Sequence, residues 1–174
     1  IVNGWRGNLP FYSTVYGGGI HLIDLMCWII EDKVMEVCSM GNNILTKNSN
    51  FKYPEIVTSL LKFQKGATGK TTSTYGPQRT KFHSLNVYGT KKTFVNHNKN
   101  AEIYSGDKEQ DCLIDSTPYP GFEKGDLLPE FISAIIEEKE PEVSGKDVFR
   151  VMDVCFAIWE SYQQKKTVDV SYIL

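Results

Sequence analysis

Glu55-Ile-Val-Thr-Ser-Leu-Leu-Lys-Phe63, a break at Gln64-Lys-Gly-Ala67, and Thr68-Gly-Lys-Thr-Thr-Ser-Thr-Tyr75 form the stretch on which the fold turns. Each arm is rich in β-branched residues, and the Gly-containing break is short enough for a hairpin, so the stretch predicts two antiparallel strands. In the first arm Val57, Leu61 and Phe63 point to one face, and Ile56 and Leu60 to the other. A sheet with one wet face shows cleaner alternation than this, so both faces are expected to be covered.

The same two-residue period spreads outward. Val34, Glu36, Cys38 and Met40 alternate with Met35, Val37 and Ser39 before Gly41-Asn-Asn. Phe82 to Tyr88, Thr93 to His97 and Glu102 to Ser105 continue the series, with Gly89-Thr-Lys-Lys92 as a turn. Five or six mostly antiparallel strands are predicted. A short buried helix is expected over His21 to Ile30, where only His21 and Asp24 are polar. Ahead of it, residues 1–16 read as a long ordered loop leading into Gly17, Gly18 and Gly19.

Two helices follow the strands. Asp126 is expected to cap Leu127 to Glu138, with Pro129 in the first turn and Leu128, Phe131, Ile132 and Ile135 as its apolar stripe. Ser144 is expected to cap a helix of about five turns carrying Val148, Val151, Met152, Cys155, Ile158, Trp159 and Tyr162. A last strand is expected at Thr167 to Ser171. The pattern predicts an α+β fold: an open, mostly antiparallel sheet with helices packed on one face and the other face available for dimerisation.

Length and composition bound the function. The 174 residues, 41% hydrophobic and 23% charged, fit one globular domain with a real core, residues 1–174, and exclude disorder and fibres. A net charge of -2 supplies no basic field for nucleic acid or anionic lipid, so a small molecule or another protein is the expected partner. Cys27, Cys38, Cys112 and Cys155 stand apart with no metal-ligand spacing, so no metal site is expected and buried free thiols are. Met26, Met35, Met40 and Met152 read as core filler. The longest apolar run, Leu25 to Ile30, is too short for a membrane span, and a cytoplasmic location is expected. The chain opens on Ile1 rather than Met, so an upstream segment is expected.

The chemistry concentrates in Tyr16-Gly-Gly-Gly-Ile-His-Leu-Ile-Asp-Leu-Met26. On a helix, His21 and Asp24 share one face at a three-residue step. An imidazole exchanges protons near neutral pH, and a carboxylate beside it can orient a substrate hydroxyl or stabilise the imidazolium. The alternative is a pair of hydrogen-bonded core groups. Gly17 to Gly19 follow no apolar parallel strand, so they do not read as a dinucleotide fingerprint. Trp5, Arg6 and Tyr16 before the helix, and Tyr75, Arg79 and His83 around the Tyr75-Gly-Pro-Gln78 turn, are further candidates for substrate contact.

Gly-Gly-Gly-Ile-His-Leu-Ile-Asp-Leu25 resembles the G-x-H-x-x-D helix of the glucose-fructose oxidoreductase and inositol dehydrogenase family (Gfo/Idh/MocA). Val87-Tyr-Gly-Thr-Lys91, Gly125-Asp-Leu-Leu-Pro-Glu-Phe131, Ser144-Gly-Lys-Asp147, Ala157-Ile-Trp-Glu-Ser161 and Val168-Asp-Val170 extend the resemblance in order. It implies the C-terminal substrate-binding and dimerisation domain of an enzyme that moves a hydride between NAD or NADP and a secondary alcohol or ketone of a sugar or cyclitol. His21 falls on the family's catalytic histidine and Asp24 on a substrate-contact position. Many relatives carry an Asp where this chain has Gly17, and the family's catalytic Lys belongs to a Rossmann domain outside this chain. The resemblance thus implies that the cofactor is bound by that other domain and that this stretch alone neither binds it nor turns over a sugar. The reading from a different class is a non-catalytic scaffold module that self-associates through its sheet.

Overall fold

A computed structural model describes residues 4–76, 83–117 and 125–174. The chain condenses into two compact units, one of residues 1–78 with 143–174 and one of residues 79–142. The fold is α+β with open antiparallel sheets, as expected, but the strands divide into two sheets of four.

The first unit holds β1 (Val34–Asn42), β2 (Ile56–Phe63), β3 (Thr68–Thr74) and β8 (Val168–Asp169), ordered β3-β2-β1-β8. The expected hairpin forms, with Ile56 opposite Thr74 and Leu61 opposite Gly69. Val57, Leu61 and Phe63 are buried, while Leu60 is 53% exposed on the opposite face. In β1 the register shifts between Val34 and Glu36, and this bulge lets both Val34 and Val37 face inward. The loop after β1 is tied down by Glu55, whose carboxylate accepts the amides of Leu45 at 2.7 Å and Thr46 at 2.6 Å. Burial pushes that carboxyl upward, but the amide bonds prevail and hold it below the usual carboxylate range.

Two helices lie over the inner face. α1 (Ile20–Ile30) grows out of a π-helical turn, Val15–Gly19, so Tyr16 and the three glycines belong to the helix rather than to a loop before it. Gly17 and Gly19 are there for clearance: a Cβ on Gly19 would fall 2.1 Å from Ser73 Oγ, whereas one on Gly18 would meet nothing within 4 Å. Nor is α1 a buried helix, since Ile23 is its one fully buried residue and Trp28 is 75% exposed. α3 (Gly145–Gln164) starts at the expected cap, where Ser144 Oγ accepts from the Asp147 amide and the Asp147 carboxylate accepts from the Ser144 amide. Val151, Val154, Cys155, Ala157 and Ile158 enter the core with Ile23, Val37, Leu61 and Phe63.

The second unit contains β4 (Asn86–Tyr88), β5 (Thr93–Asn96), β6 (Ala101–Tyr104), β7 (Cys112–Asp115) and α2 (Leu128–Ile136), with its strands paired in chain order. β7, a short Cys-Leu-Ile-Asp run, carried no readable alternation. α2 begins one residue later than expected, with Leu127 rather than Asp126 at the cap position and no side-chain cap bond. Its stripe of Leu128, Phe131, Ile132 and Ile135 is exposed, and Ala134 is its buried residue.

Two readings of small residues are corrected. The four cysteines are free, but Cys155 alone is buried; Cys27, Cys38 and Cys112 are half-buried. Of the methionines, Met26 packs against the core, whereas Met35 is exposed and Met40 is 77% exposed, because both fall on the outward-facing side of β1.

Candidate functional site

The polar groups of α1 fall on one side. Gly17, His21, Asp24 and Trp28 are all exposed, and their steps of four, three and four residues describe a single strip along the helix. Leu22, Leu25, Met26 and Cys27, between them, are half-buried, so the helix packs through its other side. The reading of His21 and Asp24 as core groups is therefore set aside: both face solvent. A histidine in such a position can take or give a proton, and a carboxylate one turn along can hold a hydroxyl.

A second cluster sits at the N-terminal end of the strip. Tyr12 and Tyr75 stack with ring centres 6.1 Å apart and planes 9° from parallel, and the Tyr75 hydroxyl donates to Tyr12 Oη at 2.9 Å. Burial first, then the bond to Tyr12, pushes the Tyr75 phenol far above its ordinary value, with Arg6 acting in the opposite sense. Gly17 lies directly beneath the pair: a Cβ there would fall 2.0 Å from Tyr12 Oη and 2.5 Å from Tyr75 Oη. Arg6, in the 3-10 turn Trp5–Asn8, stacks its guanidinium 4.5 Å from the centre of the Trp5 ring, and both side chains are exposed.

The remaining candidates go elsewhere. Tyr16 is half-buried, edge-on to Phe156 at 5.7 Å, and its phenol is pushed up to about 12, chiefly by burial. That places it in the packing between α1 and α3 rather than on the strip. His83 belongs to the second unit, where its carbonyl accepts from Asn96 Nδ2 at 2.8 Å. Arg79 lies outside the described residues. Cys27 and Cys155 are poor nucleophiles at neutral pH, because burial raises their thiols to about 11 and about 12. Among the described residues no three His, Cys, Asp or Glu side chains gather as a metal site. No helix of the described residues is long and apolar enough to cross a membrane.

Two of these residues, Tyr12 and Trp28, had no signal in the sequence. One is an aromatic in an irregular stretch. The other reads as part of an apolar run, and only the helix phase brings it into line with His21.

Gly17 to Gly19 do not form a phosphate-cradling loop. Both described sheets are antiparallel, and the space above Gly17 and Gly19 is taken by Tyr12 and Ser73 rather than left open for phosphate.

The family profile described as "Oxidoreductase family, C-terminal alpha/beta domain" matches residues 3–170. Comparison with curated protein sequences gives no match. Among solved structures, an aldose-aldose oxidoreductase from Caulobacter crescentus complexed with glycerol superposes with a TM-score of 0.80 at 18% identity, covering 97% of this chain and 51% of that one. A levoglucosan dehydrogenase in complex with NADH and L-sorbose superposes with a TM-score of 0.77 at 17% identity, covering 98% and 54%. An NAD-binding protein from Listeria innocua superposes with a TM-score of 0.73 at 21% identity, covering 96% and 50%. The chain thus spans about half the length of these relatives.

Proposed function

The chain belongs to the Gfo/Idh/MocA oxidoreductases, whose C-terminal alpha/beta domain it matches, and we propose that it is the substrate-binding part of an NAD(P)-dependent enzyme acting on a secondary alcohol or ketone of a sugar or cyclitol. The observation that carries this is the exposed strip of α1, which presents an imidazole and a carboxylate on a helix that is otherwise apolar.

In the proposed reaction, His21 takes the proton of the hydroxyl being oxidised, and returns it when a ketone is reduced. Asp24 accepts a hydrogen bond from a neighbouring hydroxyl and fixes the ring against the strip. Arg6 and Trp5 border the site, Tyr16 supports the helix from behind, and Tyr75 closes the strip's N-terminal end. Arg79 remains a proposed contact from the sequence alone. NAD or NADP would supply the hydride acceptor or donor; the described residues form no cradle for it, so its binding is assigned to a Rossmann domain in a longer polypeptide. The solved neighbours named for aldose and levoglucosan oxidation, one with NADH bound, support the sugar class.

The test uses the full-length protein with NAD+ or NADP+ and levoglucosan, myo-inositol and D-glucose as probes. His21→Ala is expected to lower kcat by about a hundredfold or more. Wild-type protein inert towards every probe, or His21→Ala as active as wild type, would sink the reading.

We also propose that the enzyme self-associates through the outer face of its first sheet. Met40 at 77% and Leu60 at 53% exposure lie there with Met35, Ile56 and Cys38, an apolar patch that a two-fold pairing would cover. Light scattering is expected to give a multiple of the chain mass for wild type and a lower mass for Leu60→Lys. A monomeric wild type across micromolar concentrations refutes it.

A further inference from the structure

We propose that Tyr12, oriented by Tyr75, is the hydrogen-bond donor that positions a substrate hydroxyl or carbonyl oxygen next to His21; this rests on the functional reading above. Tyr12 is assigned no role by the sequence pattern. Its placement follows from Gly17.

Gly17 and His21 lie about one turn apart in a continuous helical run, so their side-chain directions share a face, with Cβ positions about 5–6 Å apart. The Cβ direction of residue 17 leads straight to the Tyr12 and Tyr75 hydroxyl oxygens, at 2.0 and 2.5 Å. Two phenol oxygens therefore stand where a side chain at 17 would begin, about one helical turn from the Cβ of His21. The glycine is what admits them.

The two phenols divide their work. A phenol has one proton. Tyr75 directs its proton at Tyr12 Oη at 2.9 Å, with Ser13 O a more distant acceptor at 3.5 Å. Phe51 meets the Tyr75 ring edge-on at 6.3 Å and fixes its plane. Tyr12 thus receives a hydrogen bond, which sharpens its own O–H as a donor, and no acceptor among the described residues takes that proton. An oxygen placed between Tyr12 Oη and His21 satisfies it. The natural occupant is a polyol hydroxyl vicinal to the reacting carbon, or the carbonyl oxygen of the ketone: both accept from a neutral donor. Arg6, close enough to Tyr75 to favour negative charge there, adds a positive field that suits an oxygen acceptor.

The experiment again uses the full-length protein, with levoglucosan, myo-inositol and D-glucose as probes, comparing wild type, Tyr12→Phe, Tyr75→Phe and His21→Ala. Steady-state kinetics are paired with saturation-transfer NMR of the same polyols, which reports contact without turnover. Tyr12→Phe is expected to raise KM about tenfold with kcat changed by less than about threefold, the signature of a lost binding hydrogen bond. Tyr75→Phe, which leaves the donor in place but unoriented, is expected to raise KM by less, and it serves as the second variant if Tyr12→Phe does not fold. Wild-type kinetics in both tyrosine variants, with His21→Ala inactive, overturn this proposal and leave the enzyme reading intact. Polyol contact that is lost in Tyr12→Phe while wild type has no turnover upholds it and removes the enzyme reading. Absence of polyol contact with the wild type overturns it.

Discussion

Helices α1 and α3 cover the same sheet, yet they are built to opposite specifications. α3 is closed at its start by the Ser144–Asp147 capping box and sends Val151, Val154, Cys155, Ala157, Ile158 and Ser161 into the interior. α1 has no side-chain cap, begins in a π-helical turn with three glycines, and buries only Ile23 completely. Helix stability comes mainly from packing an apolar face and satisfying the first-turn amides, so α3 holds the unit together. α1 gives up both in order to present a strip of polar and aromatic groups. π-helical turns collect at functional sites for this reason: the wider turn re-aims side chains at a local energetic cost.

The contrast is open to direct attack. Ile158 is fully buried in the core, so Ile158→Ala is expected to cost about 2–5 kcal/mol of stability. His21→Ala, on the exposed strip, is expected to stay within about 0.5 kcal/mol. Chemical denaturation of both variants measures the pair. Equal losses would mean that α1 is structural after all and that the division of labour between the helices is misdrawn.

How far the sequence disclosed this arrangement depended on whether its signal was local. The hairpin, the Ser144 cap and the faces of β2 were legible, because strand period, turn chemistry and capping boxes are written within a few residues. The division of the strands into two sheets was not, since sheet membership depends on pairing between distant segments. Met35 and Met40 read as core because hydrophobicity says nothing about which side of a bulged strand a residue takes. In the site, His21 and Asp24 were visible as polar residues in an apolar run. The Tyr12–Tyr75 pair was hidden by its separation of 63 positions, and only the clearance above Gly17 exposes it.

A smaller loss than that of Ile158→Ala is expected at the cap that α1 lacks. Ser144→Ala removes the hydroxyl that accepts from the Asp147 amide at 3.3 Å and donates to the Asp147 carboxylate at 2.7 Å, and is expected to cost about 1 kcal/mol at neutral pH. The Ser144 hydroxyl first, then the Ser144 amide, hold the Asp147 carboxyl below the usual carboxylate range. A carboxylate with a depressed folded-state pKa stabilises the fold above its unfolded value, about 3.9, and the contribution is lost as pH falls through the lower folded value. Asp147 is largely solvent-screened, so that part is a small fraction of the whole. The gap between the thermal midpoints of wild type and Ser144→Ala should accordingly be widest above about pH 5 and narrow slightly, without closing, as pH falls below about 4. A gap that is constant down to strong acid would show that the hydroxyl caps the Asp147 amide alone, and that the carboxylate contributes nothing to the advantage of α3 over α1.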